Sequence, residues 1–308
     1  MQETIVEFEN VSKKFGDQYA VKDVSFTVNQ GRIFGLLGPN GAGKTTSIRM
    51  LTHILIPDSG IIRLYGKKVG SDTQRLLGYL PEERGLYKKM KVGEQLIYLC
   101  RLRGLSASSA REKVRYWLDR FDASGWIDKE IGELSKGMQQ KIQFVATIAH
   151  DPKCLIFDEP FSGLDPINSE ILKEVILELR KAGKTIFFAT HRMEQVEQLC
   201  DDIALFNHGK LILNGKLSDI RASYGNNSIR MQFSGDNSFL DNLKNVRINN
   251  RSVNYAELRM LEGADDQHIL GEALKHARVE AFELIEPGLQ EIFIDSVSRE
   301  NTQEPQID

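Results

Sequence analysis

Cysteine is scarce in this chain. Cys100, Cys154 and Cys200 are the only three among 308 residues, an odd number at unrelated spacings. No CxxC or HxxxH pattern accompanies them, which excludes a disulfide framework and a zinc centre. Long apolar runs are also missing: nothing approaches the ~18 consecutive apolar residues that cross a bilayer. The first residues, MQETIVEFEN, have neither a basic stretch nor an apolar one, so no secretory leader is expected and the chain is expected to stay in the cytosol. Nor is there an excess of charge. A net charge of -3 and a pI near 6.1 give no global electrostatic reason to bind nucleic acid.

What remains is an ordinary globular composition, 41% apolar and 27% charged, with length enough for about two domains. Up to about residue 222, short β-like runs alternate with amphipathic helical patterns, the pattern of an α/β fold with a parallel sheet covered by helices. The runs IVEF (5–8), VSFTV (24–28), RIFGLL (32–37), CLIFD (154–158), TIFFAT (185–190) and IALF (203–206) read as its strands. Between about 84 and 150 helical periodicity dominates, predicting a helical insert. The turn-rich SYGNNS (223–228) reads as a linker. Beyond it, IRMQF, VNYAEL and VEAFELIE look like strands among helical stretches, so 223–308 is expected to be a small α+β domain. That segment has 8 basic and 15 acidic side chains, which fits a separate acidic domain and equally an ordinary solvated face.

Residues 38–45, GPNGAGKT, match GxxxxGK[ST] in full, directly after the strand-like RIFGLL and before the helical TSIRMLTHIL. Gly38, Gly41 and Gly43 let the backbone bend so that N–H groups along Gly38, Pro39, Asn40, Gly41, Ala42, Gly43, Lys44, Thr45 and Thr46 can surround phosphate oxygens, apart from Pro39, which has no N–H. The helix beginning near Lys44 adds its positive end. Lys44 can reach the β and γ phosphates, and the Thr45 hydroxyl can ligate Mg²⁺. A glycine-rich turn capping a helix is the plainer alternative; the strand and helix on either side argue against it.

KCLIFDEPFSGLD (153–165) ends an apolar strand in two adjacent acids. In a parallel sheet ligands sit beyond the carboxyl ends of the strands, so Asp158 and Glu159 should face the phosphate loop. Asp158 is the candidate to hold magnesium, and Glu159 the candidate to polarise the water that attacks the γ-phosphorus. An exposed turn starting with two solvated acids would look the same in isolation.

At ELSKGMQQK (133–141) the chain resembles the ATP-binding subunits of ABC transporters, whose LSGGQ signature stands here as Leu134, Ser135, Lys136, Gly137 and Met138. Ser135 also occupies the place of an N-cap before an apolar helical face, which by itself needs no further function. The resemblance covers about residues 3–220. It implies that Phe15 stacks on adenine, although a lone Phe before Gly equally fits a surface or core residue. It also implies that Asp165 of FSGLD lies near a partner subunit and that His191 contacts the γ-phosphate. Ser135 and Gly137 would complete the ATP site of a second, head-to-tail subunit. The implied cofactors are ATP and Mg²⁺, and the implied partners a second ATP-binding subunit and a separate membrane-spanning permease, which would hold this chain on the cytosolic face of the membrane.

Two motifs depart from the family. Glu82 of YLPEERGLY stands where a magnesium-holding glutamine is usual; its carboxylate could ligate the metal or repel the triphosphate. Lys136 and Met138 alter the signature but leave its hydroxyl and its glycine amide. YLPEERGLY with the tail EPGLQEIFIDSV resembles the exporter branch, including ATP-binding subunits of bacterial sodium-efflux systems. The alternative is a soluble ABC ATPase acting on ribosomes or nucleic acid; its usual duplicated domain, coiled coil or zinc insert is not found. A GTPase would need an NKxD segment, which is also not found.

Overall fold

The computed structural model describes residues 3–83, 85–225 and 227–303. The chain divides into two compact units, Met1–Asn214 and Gly215–Asp308.

In the first unit the chain opens with β1 (Thr4–Phe15) and β2 (Gln18–Asn29), then β3 (Ile33–Leu37) and α1 (Lys44–Leu51). It continues through β4 (Ser59–Leu64), β5 (Lys67–Lys68), α2 (Ser71–Gln74) and β6 (Leu77–Leu80). Helices α3 (Val92–Leu102), α4 (Ala107–Arg120) and α5 (Lys136–Ile148) form the helical insert. The α/β pattern then resumes with β7 (Cys154–Asp158), α6 (Pro166–Lys181), β8 (Thr185–Thr190), α7 (Met193–Leu199), β9 (Asp202–Asn207) and β10 (Lys210–Lys216).

A six-stranded sheet in the order β10-β9-β3-β8-β7-β6 forms the frame. Pairings β9-β3, β3-β8, β8-β7 and β7-β6 are parallel. Its middle strands β3, β7 and β8 are buried at every residue, which is why their sequences run apolar without alternation.

The runs IVEF and VSFTV do not join this sheet as expected. They belong to β1 and β2 of a separate antiparallel sheet, ordered β2-β1-β4-β5. The reason is visible in β2, where buried Val24, Phe26 and Val28 alternate with exposed neighbours, the period of a strand with one wet face. The dry face packs on the parallel sheet through a line of rings: Phe8 stacks on Phe26 at 4.4 Å, and Phe26 on Phe34 at 5.2 Å.

The second unit contains α8 (Leu217–Tyr224), β11 (Ser228–Gly235), β12 (Val246–Arg251), β13 (Tyr255–Met260), α9 (Asp266–His276), β14 (Ala277–Ile285) and α10 (Leu289–Gln303). Of the turn-rich run at 223–228, Asn226 lies outside the described residues. An antiparallel sheet, β12-β13-β11-β14, buries Ile229, Met231, Phe233 and Leu258 against Ile269 and Ala273 of α9. On the alternate positions Ser228 and Arg259 meet Glu291 of α10. Arg259 Nε lies 3.2 Å from Glu291 Oε1, and the Ser228 hydroxyl is 3.0 Å from both carboxylate oxygens.

Candidate functional site

The loop between β3 and α1 depends on two glycines. Gly38 has φ 147° and Gly43 φ 108°. A side chain at Gly38 would come within 2.3 Å of the Phe206 carbonyl oxygen, and one at Gly43 within 2.5 Å of that of Ala20. Both the bend and the close packing therefore require glycine. The first-turn amides of α1, at Lys44, Thr45 and Thr46, have no intrahelical acceptor and crown the loop. Lys44 is 7% exposed, and its ammonium donates to the carbonyls of Gly38 (2.6 Å) and Pro39 (3.0 Å). Burial pushes its pKa down, while the carboxylates of Glu159, Asp158 and Glu82 oppose that shift.

β7 brings its two acids to the same end of the sheet. The Thr45 hydroxyl donates to Asp158 Oδ2 at 3.1 Å. Asp158 is 2% exposed, and burial pushes its carboxyl up to about 6; the Thr45 hydrogen bond opposes this, and the negative charges of Glu82 and Glu159 add to it. A buried carboxylate in that situation is relieved by a cation. With the Thr45 hydroxyl beside it, the donor set is the hard-oxygen kind that suits Mg²⁺. The residues therefore fit the metal.

Glu159 follows with φ 50°, a left-handed backbone that a non-glycine residue holds only when its surroundings enforce it. Its amide donates to the Ala189 carbonyl at 2.9 Å, anchoring the turn to β8. Its carboxylate accepts from the His191 amide at 2.9 Å and from His191 Nδ1 at 2.6 Å through Oε1. Because a carboxylate only accepts, Nδ1 carries the proton in this contact. Oε2 lies 3.1 Å from the Thr190 hydroxyl.

Phe15 closes β1 at the β1–β2 hairpin and is 54% exposed, with the Lys13 ammonium 5.9 Å from its ring centre. The start of β2 supplies the Ala20 carbonyl that abuts Gly43, so this hairpin borders the loop. Glu82 follows β6 and lines, with Thr45 and Asp158, a cavity of about 870 Å³.

Ser135 and Gly137 find their contacts elsewhere. The Ser135 hydroxyl caps α5 by accepting from the Met138 amide at 3.3 Å. Gly137 sits beside the FSGLD segment, with room for a Cβ only 3.4 Å from the Gly163 carbonyl. One turn on, Gln140 donates to the Pro160 carbonyl at 3.0 Å. Among the described residues no hydrogen bond joins Ser135 or Gly137 to the phosphate loop of the same chain.

The family profile described as ABC transporter matches residues 21–162, and that described as ATP-binding protein DrrA1-3-like, C-terminal domain, matches 215–297. The uncharacterized ABC transporter ATP-binding protein YhaQ of Bacillus subtilis (strain 168) is 41% identical over 94% of this chain and 97% of its own length. The chain belongs to the ABC transporter ATP-binding proteins. Another relative, the linearmycin resistance ATP-binding protein LnrL of the same organism, is 31% identical over 96% of this chain and 99% of its own. A solved ATP-binding subunit of an ABC transporter superposes with a TM-score of 0.68 at 31% identity, covering 72% of this chain and 93% of that one.

As an ABC ATP-binding protein the chain is an ATPase whose hydrolysis powers transport, and such subunits work with membrane permeases and usually dimerise. No helix among the described residues is long and apolar enough to cross a membrane. The ABC site also contains a residue that pattern reading missed. Thr190, adjacent to Glu159 Oε2, is 3.2 Å from Gln195 Oε1 and accepts from the Arg192 amide at 3.1 Å. The available signal was a hydroxyl at the end of a fully apolar strand, next to a histidine.

Proposed function

We propose that this chain is the ATP-hydrolysing subunit of an exporter, at work on the cytosolic face of the cell membrane beneath a separate permease. Two copies associate head to tail when ATP is bound. Sodium or another small solute is the cargo, in keeping with the YLPEERGLY and EPGLQEIFIDSV segments; the relative named for linearmycin resistance also points outward.

The observation that carries the reading is the convergence of Lys44, Asp158 and Glu159 at one end of the sheet, with Glu159 held in a left-handed turn. The loop amides and Lys44 bind the triphosphate, and Phe15 stacks on its base. Thr45 and Asp158, with Glu82 beside them, would hold Mg²⁺, which supplies charge neutralisation for the phosphoryl oxygens. Glu159 orients and polarises the attacking water, fixed by Thr190 and His191. His191 is 49% exposed at its side chain, free to exchange its Glu159 contact for a phosphate oxygen. Ser135 caps an exposed helix N-terminus, an arrangement suited to an anion presented by a second copy. Hydrolysis removes that bridging charge and loosens the pair.

Recovering the chain from native membranes tests the reading. A multi-spanning protein should accompany it, and ATPase activity should depend on Mg²⁺. Ribosomes or DNA in place of a membrane protein would overturn the exporter assignment.

A further inference from the structure

The segment linking β6 to the helical insert is gripped from inside by two buried glutamines that the ATPase site does not use. Gln143, in the third turn of α5, is 5% exposed. Its amide nitrogen lies 3.2 Å from the Pro81 carbonyl and 3.1 Å from that of Glu83. An NH₂ group has two protons, so both contacts can form together, and the two carbonyls they bind flank Glu82. Gln95 of α3, with no exposed surface, accepts from the Tyr87 amide at 3.2 Å, near the other end of the segment. Each glutamine leaves one buried atom without a partner, Oε1 of Gln143 and Nε2 of Gln95.

That orphaned half is costly, and an apolar side chain of similar volume would fill the site without it. The amide is retained at a place where its donor pair fixes a backbone. Thr147, one turn along α5, donates its hydroxyl proton to the Gln143 carbonyl at 2.9 Å and lies 3.5 Å from the Tyr79 carbonyl. The body that Gln143 belongs to is the helix whose N-terminus carries Ser135 and Gly137. What it grips is the backbone on either side of Glu82, whose charge adds to the effect of burial in raising the Asp158 carboxyl and partly offsets the effect of burial on the Lys44 ammonium.

We propose that Gln143 is a positioning residue, which fixes the Pro81–Glu83 backbone to the signature helix and so sets where the Glu82 carboxylate stands relative to Asp158. The metal end of the site then follows α5 when that helix meets a second copy. This rests on the reading of Glu82 as a group facing the metal.

The test uses the full-length chain and measures ATPase rate against free Mg²⁺ for wild type, Q143M, E82Q and the double variant. Methionine keeps the volume of glutamine and removes the donor. Q143M should raise the half-saturating Mg²⁺ concentration by about tenfold, the lower end of what outer-shell partners of metal ligands show, and by more than it lowers the maximal rate. In the double variant the shift should not exceed the larger single one, because both act through one carboxylate. An unchanged Mg²⁺ requirement in Q143M, or shifts that multiply in the double variant, would overturn the proposal. If E82Q alone leaves the Mg²⁺ requirement unchanged, the metal-facing reading of Glu82 falls, and amide exchange judges the grip on its own. Exchange at the amides of 82, 83 and 85–87 should quicken at least about tenfold in Q143M while α1 stays as it was; unaltered exchange sinks it. Should Q143M fail to fold, Q143A carries the same readouts.

Discussion

Replacing Asp158 by asparagine should abolish hydrolysis and, at the same time, make the nucleotide-free protein more stable at pH 8. Asp158 is 2% exposed, and its carboxyl is pushed up to about 6, chiefly by burial. An ordinary aspartate titrates near ~3.9, and each tenfold difference is ~1.4 kcal/mol, so holding this group ionised costs the fold about 3 kcal/mol. The sign follows from proton binding. The folded chain holds the proton more tightly than the unfolded one, so the penalty is absent below pH ~4, grows between ~4 and ~6, and is constant above. Asparagine keeps an oxygen to accept from Thr45 and carries no charge to desolvate. For a unit of this size, about 3 kcal/mol corresponds to a rise in melting temperature on the order of 5–10 °C. Thermal unfolding followed at pH 8 and pH 4.5, without nucleotide or Mg²⁺, provides the assay. A gain at pH 8 that shrinks to about a third, ~1 kcal/mol, at pH 4.5 is expected. An Asp158→Asn protein no more stable than wild type at pH 8, or equally stabilised at both values, would refute the argument from burial.

Glu159→Gln should retain ATP binding, slow hydrolysis by about 10²-fold or more and accumulate as a dimer on size exclusion with ATP; rapid turnover would show that another group orients the water. Lys44→Ala removes the ammonium that bridges the Gly38 and Pro39 carbonyls and should weaken ATP binding by about tenfold or more in a titration; unchanged affinity would count against the loop assignment. In the second unit, Arg259→Met strands the buried Glu291 carboxylate, whose pKa is already raised by burial. It should cost about 3 kcal/mol, seen as faster exchange in β11 and β13; unaltered protection there would mean the pair is dispensable.

The parts of the site that could be read along the chain are those whose chemistry is contiguous. Lys44 and Thr45 follow a glycine loop between a strand and a helix, and Asp158 and Glu159 end an apolar strand, so local spacing alone places each group on its element. Cap geometry is equally local, and Ser135 caps α5 as its position before the apolar face predicts. The strand runs IVEF and VSFTV were visible as strands, but not the sheet they join, because pairing partners lie far away in sequence: Phe8 is opposite Phe26 on one side and Ile62 on the other. Strands β4, β6, β10 and β12 passed unnoticed, being short or interrupted by charged and polar residues.

By itself the sequence determined which groups are candidates to bind a triphosphate and to activate water, since that candidacy belongs to residue types at short fixed spacings. Only the tertiary structure decided how they are held. Glu159 takes its left-handed turn because Ala189, Thr190 and His191, some thirty residues downstream, come alongside it when β7 pairs with β8. The segment bearing Glu82 is secured by a glutamine sixty residues away. Hydrogen bonds across such distances depend on which strands and helices become neighbours, and that choice is made by the burial of the whole sheet rather than by any local run of residues.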